Sequence, residues 1–333
     1  CNTAVGSYTL RCNTYGNYNS AVGYGALYYN TFGSYNIAVG PNALYCNTYG
    51  NYNSVVGYKS LYYNINGSAN TANGYQALYC NNTGSSNTAN GYKALFKNNS
   101  GCNSAFGSFA LFSNTIGYGD TAVGRSALYN NTSGICNTAV GNYALYGNTT
   151  GNYNIAVGHG ALRCSTIGYG NSAVGAEALC SNTSGNNNVA IGRGAHRRNT
   201  VGNGNSAVGV LSLFCNTSGS CNTANGYRAL LCNTTGSCNI GIGAYAGCNI
   251  TTGVDNTIIG QLPAAAGCVC TLLLGAGTCE RVKVDNSGLY INGSLFTAGA
   301  SLDSYCNFKV GTGAGTALTT GVDNIAIGYC ALN

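Results

Sequence analysis

At 333 residues the chain is long enough for two ordinary domains, yet it carries 51 Gly, 27 Tyr and 18 Cys with only 6% charged residues. This composition excludes ordinary disorder, which favours high charge and few aromatic residues, and no run of about 18 apolar residues predicts a membrane span. The net charge of +6 comes from cations dispersed over many repeats, which argues against a nucleic-acid-binding stripe.

A 17-residue repeat organises the chain from its first residues to about Gly260. Its template is N-x-A-x-G-x-x-A-L-x-x-N-T-x-G-x-x, seen in full at 19–35, and the copy that begins at Asn87 is one residue short. Positions five and fifteen of the template are Gly, the latter from Gly16 to Gly253. Glycine at fixed places marks positive φ or close backbone approach, so we expect two corners per repeat.

The segments between the corners have the length of strands and are too short for helices. Two short strands and two corners per repeat predict an all-β fold, a parallel β-solenoid (β-roll) of about sixteen coils, with a small β insert near the C-terminus. Parallel strands stacked at about 4.8 Å per coil would make a rod of roughly 75 Å.

The apolar positions predict both an interior and an assembly surface. Position three is nearly always Ala, position four is mostly Val or Ile, position eight is mostly Ala or Ser, and position nine is mostly Leu. Because neighbours in a strand point to opposite faces, we expect the small residues in the lumen and the larger ones against a partner, in a homotrimer. The leucines would form the assembly stripe of this trimer, namely Leu27, Leu44, Leu61, Leu78 and Leu95. The alternative is a single-chain solenoid with Ala and Leu both inside a bent strand.

Asn and Tyr recur at fixed positions. Asn at positions one and twelve predicts amide ladders that hydrogen-bond from coil to coil. Tyr at positions six, ten and seventeen predicts exterior rows, which either pack on the adjacent coil or stack on sugars.

The 18 Cys residues show no metal-ligand spacing and indicate an oxidising, extracellular setting without a metal site. Equal positions in adjacent coils lie about 4.8 Å apart, within disulfide reach. The expected intrachain bridges are therefore Cys215 with Cys232 and Cys221 with Cys238.

The Asn-Thr corner generates sequons, the acceptor sites of N-glycosylation in a secreted protein. The candidate acceptors are Asn66, Asn81, Asn98, Asn130, Asn131, Asn148, Asn182, Asn216, Asn233, Asn249 and Asn292.

The template breaks after residue 260, so three parts are expected: the array 1–260, a β-rich insert or capping module at 261–316, and a return of the repeat at 317–333. Within the insert, alternating Val282 and Val284, then Leu289 and Ile291, predict a β-hairpin. The chain begins and ends in mid-repeat, so the last part is either the start of a second array or a half-coil for head-to-tail growth.

The run N-T-A-V-G-x-x-A-L-Y-x-N-T-x-G resembles the repeat arrays of phage and large-virus tail-fibre proteins. More loosely, it is similar to the head domains of bacterial trimeric autotransporter adhesins. The likeness covers roughly 1–260, and the segment V-K-V-D-N-S-G-L-Y-I-N-G at 282–293 looks like the β-modules that follow such arrays. The resemblance implies a trimeric, extracellular rod that acts as an adhesin or a spacer on a cell or virion surface.

Catalysis is not expected, because the two histidines, His159 and His196, have no carboxylate nearby in their repeats, and no cofactor is expected either. We predict a structural subunit of an extracellular fibre or filament that assembles with itself and adds adhesion. One alternative is a carbohydrate- or receptor-binding module of a viral or phage tail fibre, with glycans as partners of the Tyr rows. A third hypothesis is an ice-binding β-solenoid. Two observations argue against it: Thr occurs singly at the corners, and Tyr interrupts the surface.

Overall fold

The structure is a computed structural model that describes residues 1–276, 279–285, 288–291, 294–295, 301–302, 308–310 and 325–327. Throughout these residues the regular structure is β-strand, without a helix. Sixteen three-residue strands, one per coil, stack in parallel, and the array is the predicted β-solenoid of about sixteen coils. They are β1 Thr3–Val5, β2 Ser20–Val22, β3 Ile37–Val39, β4 Ser54–Val56, β5 Thr71–Asn73, β6 Thr88–Asn90, β7 Ser104–Phe106, β8 Thr121–Val123, β9 Thr138–Val140, β10 Ile155–Val157, β11 Ser172–Val174, β12 Val189–Ile191, β13 Ser206–Val208, β14 Thr223–Asn225, β15 Ile240–Ile242 and β16 Thr257–Ile259.

The register between coils follows the repeat. Ala21 of β2 pairs with Ala38 of β3, and Ala173 of β11 pairs with Ala190 of β12. Each template position therefore stacks on the same position of the next coil. A residue type that recurs at one position of the repeat consequently forms a row along the rod.

Each coil contains one strand rather than the two predicted. The segment from position eight to position eleven bonds to the next coil, as when the Leu27 amide donates to the Ala43 carbonyl (3.0 Å). It is nevertheless not extended, because the leucines of position nine have φ between +49° and +53°. This left-handed conformation is uncommon for a residue with a side chain, and it interrupts the alternation of an ordinary strand.

The leucines consequently point into the coil, next to the alanines of position eight. Leu27, Leu44, Leu61, Leu78 and Leu95 are all 0% exposed in the single chain. The prediction that these five form an assembly stripe is wrong, because the left-handed turn rotates them inward instead of leaving them on the outer face. The alternative, with Ala and Leu both inside one chain, is confirmed.

The other half of the interior is polar and consists of the predicted Asn ladders. At position twelve, Asn47 Nδ2 donates to Asn30 Oδ1 (2.7 Å), and at position one the Asn36 amide donates to Asn19 Oδ1 (3.0 Å). Both ladders also meet at the glycine of position fifteen, since the Gly33 carbonyl accepts from Asn19 Nδ2 (2.9 Å) and Asn30 Nδ2 (2.8 Å). Most buried amide groups are thus satisfied within their own coil and by the neighbouring coils, as burial of polar groups requires, whereas Asn148 Oδ1 and Asn233 Oδ1 have no partner.

The two conserved glycine positions of the template have different causes. At position five Gly158 has φ +131°, and a Cβ there would lie 2.6 Å from the Gly175 carbonyl oxygen. At position fifteen a Cβ on Gly50 would lie 2.3 Å from the Gly67 oxygen, but its φ is outside the positive range. Position five therefore needs glycine for conformation and space, and in the full-length coils position fifteen needs it for close approach alone.

The short copy loses its residue at position fourteen. Asn87 Nδ2 and Asn98 Nδ2 both donate to the Ser100 carbonyl at 2.8 Å, which is the contact that a position-fifteen glycine makes elsewhere. Gly101 is therefore not the fifteenth residue of this coil, contrary to the sequence alignment of the repeats. The ladder continues through the deletion because the carbonyl, and not the glycine itself, is the hydrogen-bonding partner.

Beyond the coils, the sheet continues into an antiparallel meander. Strand β17 Leu272–Ala276 pairs in parallel with β16 and antiparallel with β18 Cys279–Asp285. Strand β18 pairs with β19 Gly288–Ile291 in the register Val282 to Ile291 and Val284 to Leu289, so the predicted hairpin is confirmed. The predicted boundary between 316 and 317 lies outside the described residues. The remaining strands are β20 Ser294–Leu295 and, in a separate sheet, β21 Ser301–Leu302, β22 Phe308–Val310 and β23 Ile325–Ile327.

Candidate assembly surface

The outer side of the parallel sheet is the candidate site, and we call it the sheet face: the first and third residues of strands β1 to β16. From β2 onward the central residue of each strand is buried and the flanking two are wholly or partly exposed. The third residue is aliphatic or Phe in 13 of the 16 strands, as in Val22, Val174 and Ile191, which are 41–44% exposed. These are the larger apolar residues for which the sequence predicted a partner, and here the structure leaves them uncovered.

Hydroxyl groups accompany this aliphatic row. The first strand residue is Thr or Ser in 12 of the 16 strands and Ile or Val in the other four, such as Ile37. None of the 32 sheet-face residues is charged and none is Tyr. Sequence reasoning located Thr only at the corners and missed this second Thr row, which the N-T-A-V-G run displays.

A second surface, the cationic face, is formed by template positions six, seven, ten and eleven. Every Lys and Arg of the coils lies at one of these four positions, a regularity that the total charge conceals. They are Arg11, Lys59, Lys93, Lys97, Arg125, Arg163, Arg193, Arg197, Arg198 and Arg228.

The aromatic rows pack coil on coil, as one of the two readings of the sequence predicts. Eight rings of position ten form a continuous stack with centroids 5.0–5.5 Å apart and planes within 25°. Burial, and next the neighbouring Tyr29, raise the pKa of Tyr45 to about 12. The faces of these rings are covered by their neighbours, so the row presents ring edges and not the flat platforms on which sugars stack. The stack comprises Tyr28, Tyr45, Tyr62, Tyr79, Phe96, Phe112, Tyr129 and Tyr146.

The disulfide candidates occupy matching positions in adjacent coils but are free thiols in this structure. Cys215 and Cys232 share position eleven, and Cys221 and Cys238 share position seventeen. Burial raises the pKa of the Cys215 thiol, which keeps it protonated near neutral pH. The two bridges stay predictions.

Most glycosylation candidates belong to the position-twelve ladder. A glycan on a ladder Nδ2 is incompatible with the folded coil, because that atom is buried and donates to the position-fifteen carbonyl of its own coil and, in most coils, to the preceding coil, as Asn148 Nδ2 does to Gly151 O and Asn131 Oδ1. Asn66 and Asn249 are exposed and Asn130 is half-buried, so these three stay candidates, while Asn292 lies outside the described residues. The excluded seven, each 0% exposed, are Asn81, Asn98, Asn131, Asn148, Asn182, Asn216 and Asn233.

Two titratable residues replace regular members of the interior. Asp120 stands at position one, is 1% exposed, and accepts from the Asn137 amide (2.8 Å) and from Asn131 Nδ2 (3.0 Å). Burial raises its pKa to about 7 against the lowering effect of these hydrogen bonds. Sequence reasoning counted Asp120 only as an acid, although its place in the Asn ladder was readable from the repeat.

His196 stands at position nine in place of leucine and is 0% exposed. Asn216 Nδ2 lies 2.9 Å from His196 Nε2 and donates to it, so the ring proton is on Nδ1, which has no hydrogen-bond partner. Burial lowers the pKa of His196 to about 3. The imidazole is therefore a neutral, imperfectly satisfied core residue.

Neither a metal-binding group nor a membrane-spanning segment is found in the described residues. No three His, Cys, Asp or Glu side chains there come together as metal ligands, and no helix in that part of the chain has the length and apolarity needed to cross a bilayer. No family model and no curated protein matches the chain.

Proposed function

We propose that the protein is a structural subunit of an extracellular fibre at a cell or virion surface, a rod that assembles with copies of itself through the sheet face. The observation that carries the proposal is that all 32 sheet-face residues are uncharged and that 28 of them are aliphatic or carry a hydroxyl group, the other four being Asn73, Asn90, Phe106 and Asn225. Apolar side chains such as Val5, 57% exposed, recur along the whole array instead of being scattered.

The size of the sheet face suits a specific interface. Sixteen strands at about 4.8 Å per coil give a length of roughly 75 Å, and three extended residues give a width of about 10 Å. The resulting area of roughly 750 Å², part apolar and part hydroxyl-bearing, approaches the 800 Å² or so that each partner buries in a standard interface. Two sheets packed face to face would bury it symmetrically.

The proposal involves no catalytic step. Asp120 and His196, the buried titratable residues of the coils, lie in the interior four coils apart. Adhesion would be an added property of the assembled rod, and the number of subunits, three by resemblance, is a separate question that a mass measurement answers.

The test is a pair of charged substitutions at the centre of the sheet face, Val140→Lys with Val174→Lys. Both valines are about 40% exposed and are third residues of their strands, so the rod should still fold. A matched control, Thr150→Lys with Ser218→Lys, places the same charge on exposed residues of position fourteen. Sedimentation and negative-stain imaging should show laterally associated rods for the wild type and the control, and single rods for the valine variant. Single wild-type rods at high concentration, or equal assembly of all three proteins, would refute the proposal.

A second candidate, ice binding, is favoured by the Thr and Ser row on the sheet face. The sequence argument against it was Thr at corners and intruding Tyr, but on this face the hydroxyls lie on strands and Tyr is absent. A thermal-hysteresis measurement separates the two functions. Hysteresis from unassembled rods, lost in the valine variant, would replace the fibre proposal, and its absence would eliminate the ice-binding candidate.

A further inference from the structure

The cations of the cationic face lie on one side of the rod, because they occupy the same four template positions in coils that stack in register, and most of them contact aromatic rings. Nine of the ten rest over rings of positions six, seven or ten, with 5.1–5.9 Å from the charged group to the ring centroid. Lys59 lies over Tyr58 and Tyr62, and Arg125 and Arg163, two coils apart, both lie over Tyr143. Such contacts hold long side chains in place and lower the entropy lost when a ligand binds.

Carboxylates of the coils do little to neutralise this face. Asp120 is buried in the interior, and Asp255 stands at position seventeen, outside the cationic face. Glu177 pairs with Arg197 at 3.1 Å, and both side chains remain 40–45% exposed. The face therefore repels a second copy of itself and attracts an anionic partner.

The cations follow a regular axial spacing. From Lys59 to Arg228 every second coil carries at least one cation and the coils between carry none, which places the charges about 10 Å apart along the rod. Double-stranded DNA carries one phosphate per roughly 3.4 Å of each strand, so most of its charges would find no counterpart here. A polymer with sparser anionic groups and many uncharged hydrogen-bonding groups suits the spacing better.

We propose that the cationic face binds an acidic polysaccharide lengthwise along the rod. Its carboxylate or sulfate groups would contact the Lys and Arg side chains, and its hydroxyls would meet the edges of the position-ten stack, six of whose eight rings are Tyr. This mode needs no exposed ring face, so it is compatible with rings that cover one another. It is separate from assembly, because the sheet face and the cationic face share no residue.

The test compares four polymers on the full chain: polygalacturonate, dextran sulfate, neutral dextran and single-stranded oligo-dT. The variant combines Lys59→Gln, Lys93→Gln, Arg125→Gln and Arg163→Gln. The control lowers the net charge equally at exposed residues of position fourteen, with Thr150→Asp, Ser218→Asp, Thr235→Asp and Thr252→Asp. Melting curves check that each protein is folded, and titrations at several salt concentrations give the affinity and its salt dependence.

The wild type should bind at least one of the two acidic polysaccharides and not the neutral dextran, with affinity that falls as salt rises. Loss of four ion pairs should weaken binding about tenfold or more and reduce the salt dependence, whereas the control should keep its affinity within about threefold. A preference for polygalacturonate or for dextran sulfate identifies carboxylate or sulfate as the recognised group. Equal binding of neutral dextran, equal loss in the control, or tighter binding of oligo-dT would overturn the proposal.

Discussion

Asp120 and His196 should give the rod two opposite pH dependences that cancel in the wild type. Asp120→Asn restores the regular Asn of position one, and His196→Leu restores the regular Leu of position nine. Each replaces a titratable interior residue by the one that the neighbouring coils carry, so neither should disturb the fold. The expected effects follow from the direction of each pKa change.

For Asp120 the pKa rises from 3.8 unfolded to about 7 folded, so the folded state binds the proton more tightly. Its contribution to stability is complete below about pH 3.8 and is lost as the pH rises through 7. At 1.36 kcal/mol per pKa unit the loss amounts to about 4 kcal/mol. Deprotonation places an unpaired charge in the ladder, and Asn in its place does not titrate.

For His196 the pKa falls from 6.5 unfolded to about 3 folded, so the unfolded state binds the proton more tightly. Its contribution is complete above pH 6.5 and is lost as the pH falls toward 3, by about 5 kcal/mol in total. Leucine removes this loss and also the unpaired Nδ1, which should add about 1–2 kcal/mol at pH 7.

The assay is denaturant unfolding at intervals between pH 4 and pH 8, with the difference between each variant and the wild type as the readout. Asp120→Asn should gain stability over the wild type as the pH rises from 4 to 7, and His196→Leu should gain it as the pH falls from 6.5 to 4. The double variant should show both gains. Variant-minus-wild-type differences that do not change with pH would refute the assignment of these pKa values to burial.

Three further substitutions test the interior through melting temperature and denaturant midpoint. Ser165→Asn should stabilise by about 1 kcal/mol, because serine is too short to reach Asn148 Oδ1 and leaves it unpaired; no gain would contradict the ladder. Leu78→Ala should lower the free energy of unfolding by about 2–5 kcal/mol. Val56 is 43% exposed, so Val56→Ala should lower it by less than about 1 kcal/mol. Equal losses would contradict the interior placement of leucine. Gly158→Ala should cost at least about 3 kcal/mol, from positive φ and a Cβ 2.6 Å from a carbonyl, and a neutral effect would rule out the tight corner.

The fold was predictable because the repeat carries its own register. Once residues such as Ala21 and Ala38 share a template position, parallel stacking places them side by side, and the Asn ladders follow from the same rule. The prediction that the leucines face outward was wrong because side chains alternate between two faces only where the backbone is extended. Nothing in the A-L dipeptide indicates that Leu27 has φ near +50°. That conformation places two consecutive residues inside.

The cationic face and the glycosylation motifs show what the sequence could and could not predict about the surface. The cationic face could have been predicted, because the template positions of Lys59 and Arg125 already lie outside the strands. The net charge does not contain this information, since it gives the number of cations and not their positions in the repeat. Most of the predicted glycosylation sites were wrong because their asparagines serve the fold. Asn148 of Asn-Thr-Thr hydrogen-bonds in the ladder and at the turn, and its match to a glycosylation motif is incidental. For this chain, the position of a residue in the repeat predicts its place in the structure better than composition or short motifs do.

Burial of leucine inside one chain has a consequence for assembly. A trimer with a shared leucine core would unfold when its subunits separate, since an obligate oligomer has no stable monomer. Here Leu44, Leu61 and their counterparts are fully covered by their own coils, and the amide ladders run within the chain. Subunits should therefore separate without unfolding. A hundredfold dilution of the wild type, well below its melting temperature, should lower the assembled fraction while the β-sheet circular dichroism per residue stays constant. The Val140→Lys and Val174→Lys variant, already separate, should show the same circular dichroism per residue at every concentration. Loss of β-sheet signal on dilution of the wild type, or a valine variant that is unfolded, would show that the coils need a partner to fold and would restore the shared-core trimer.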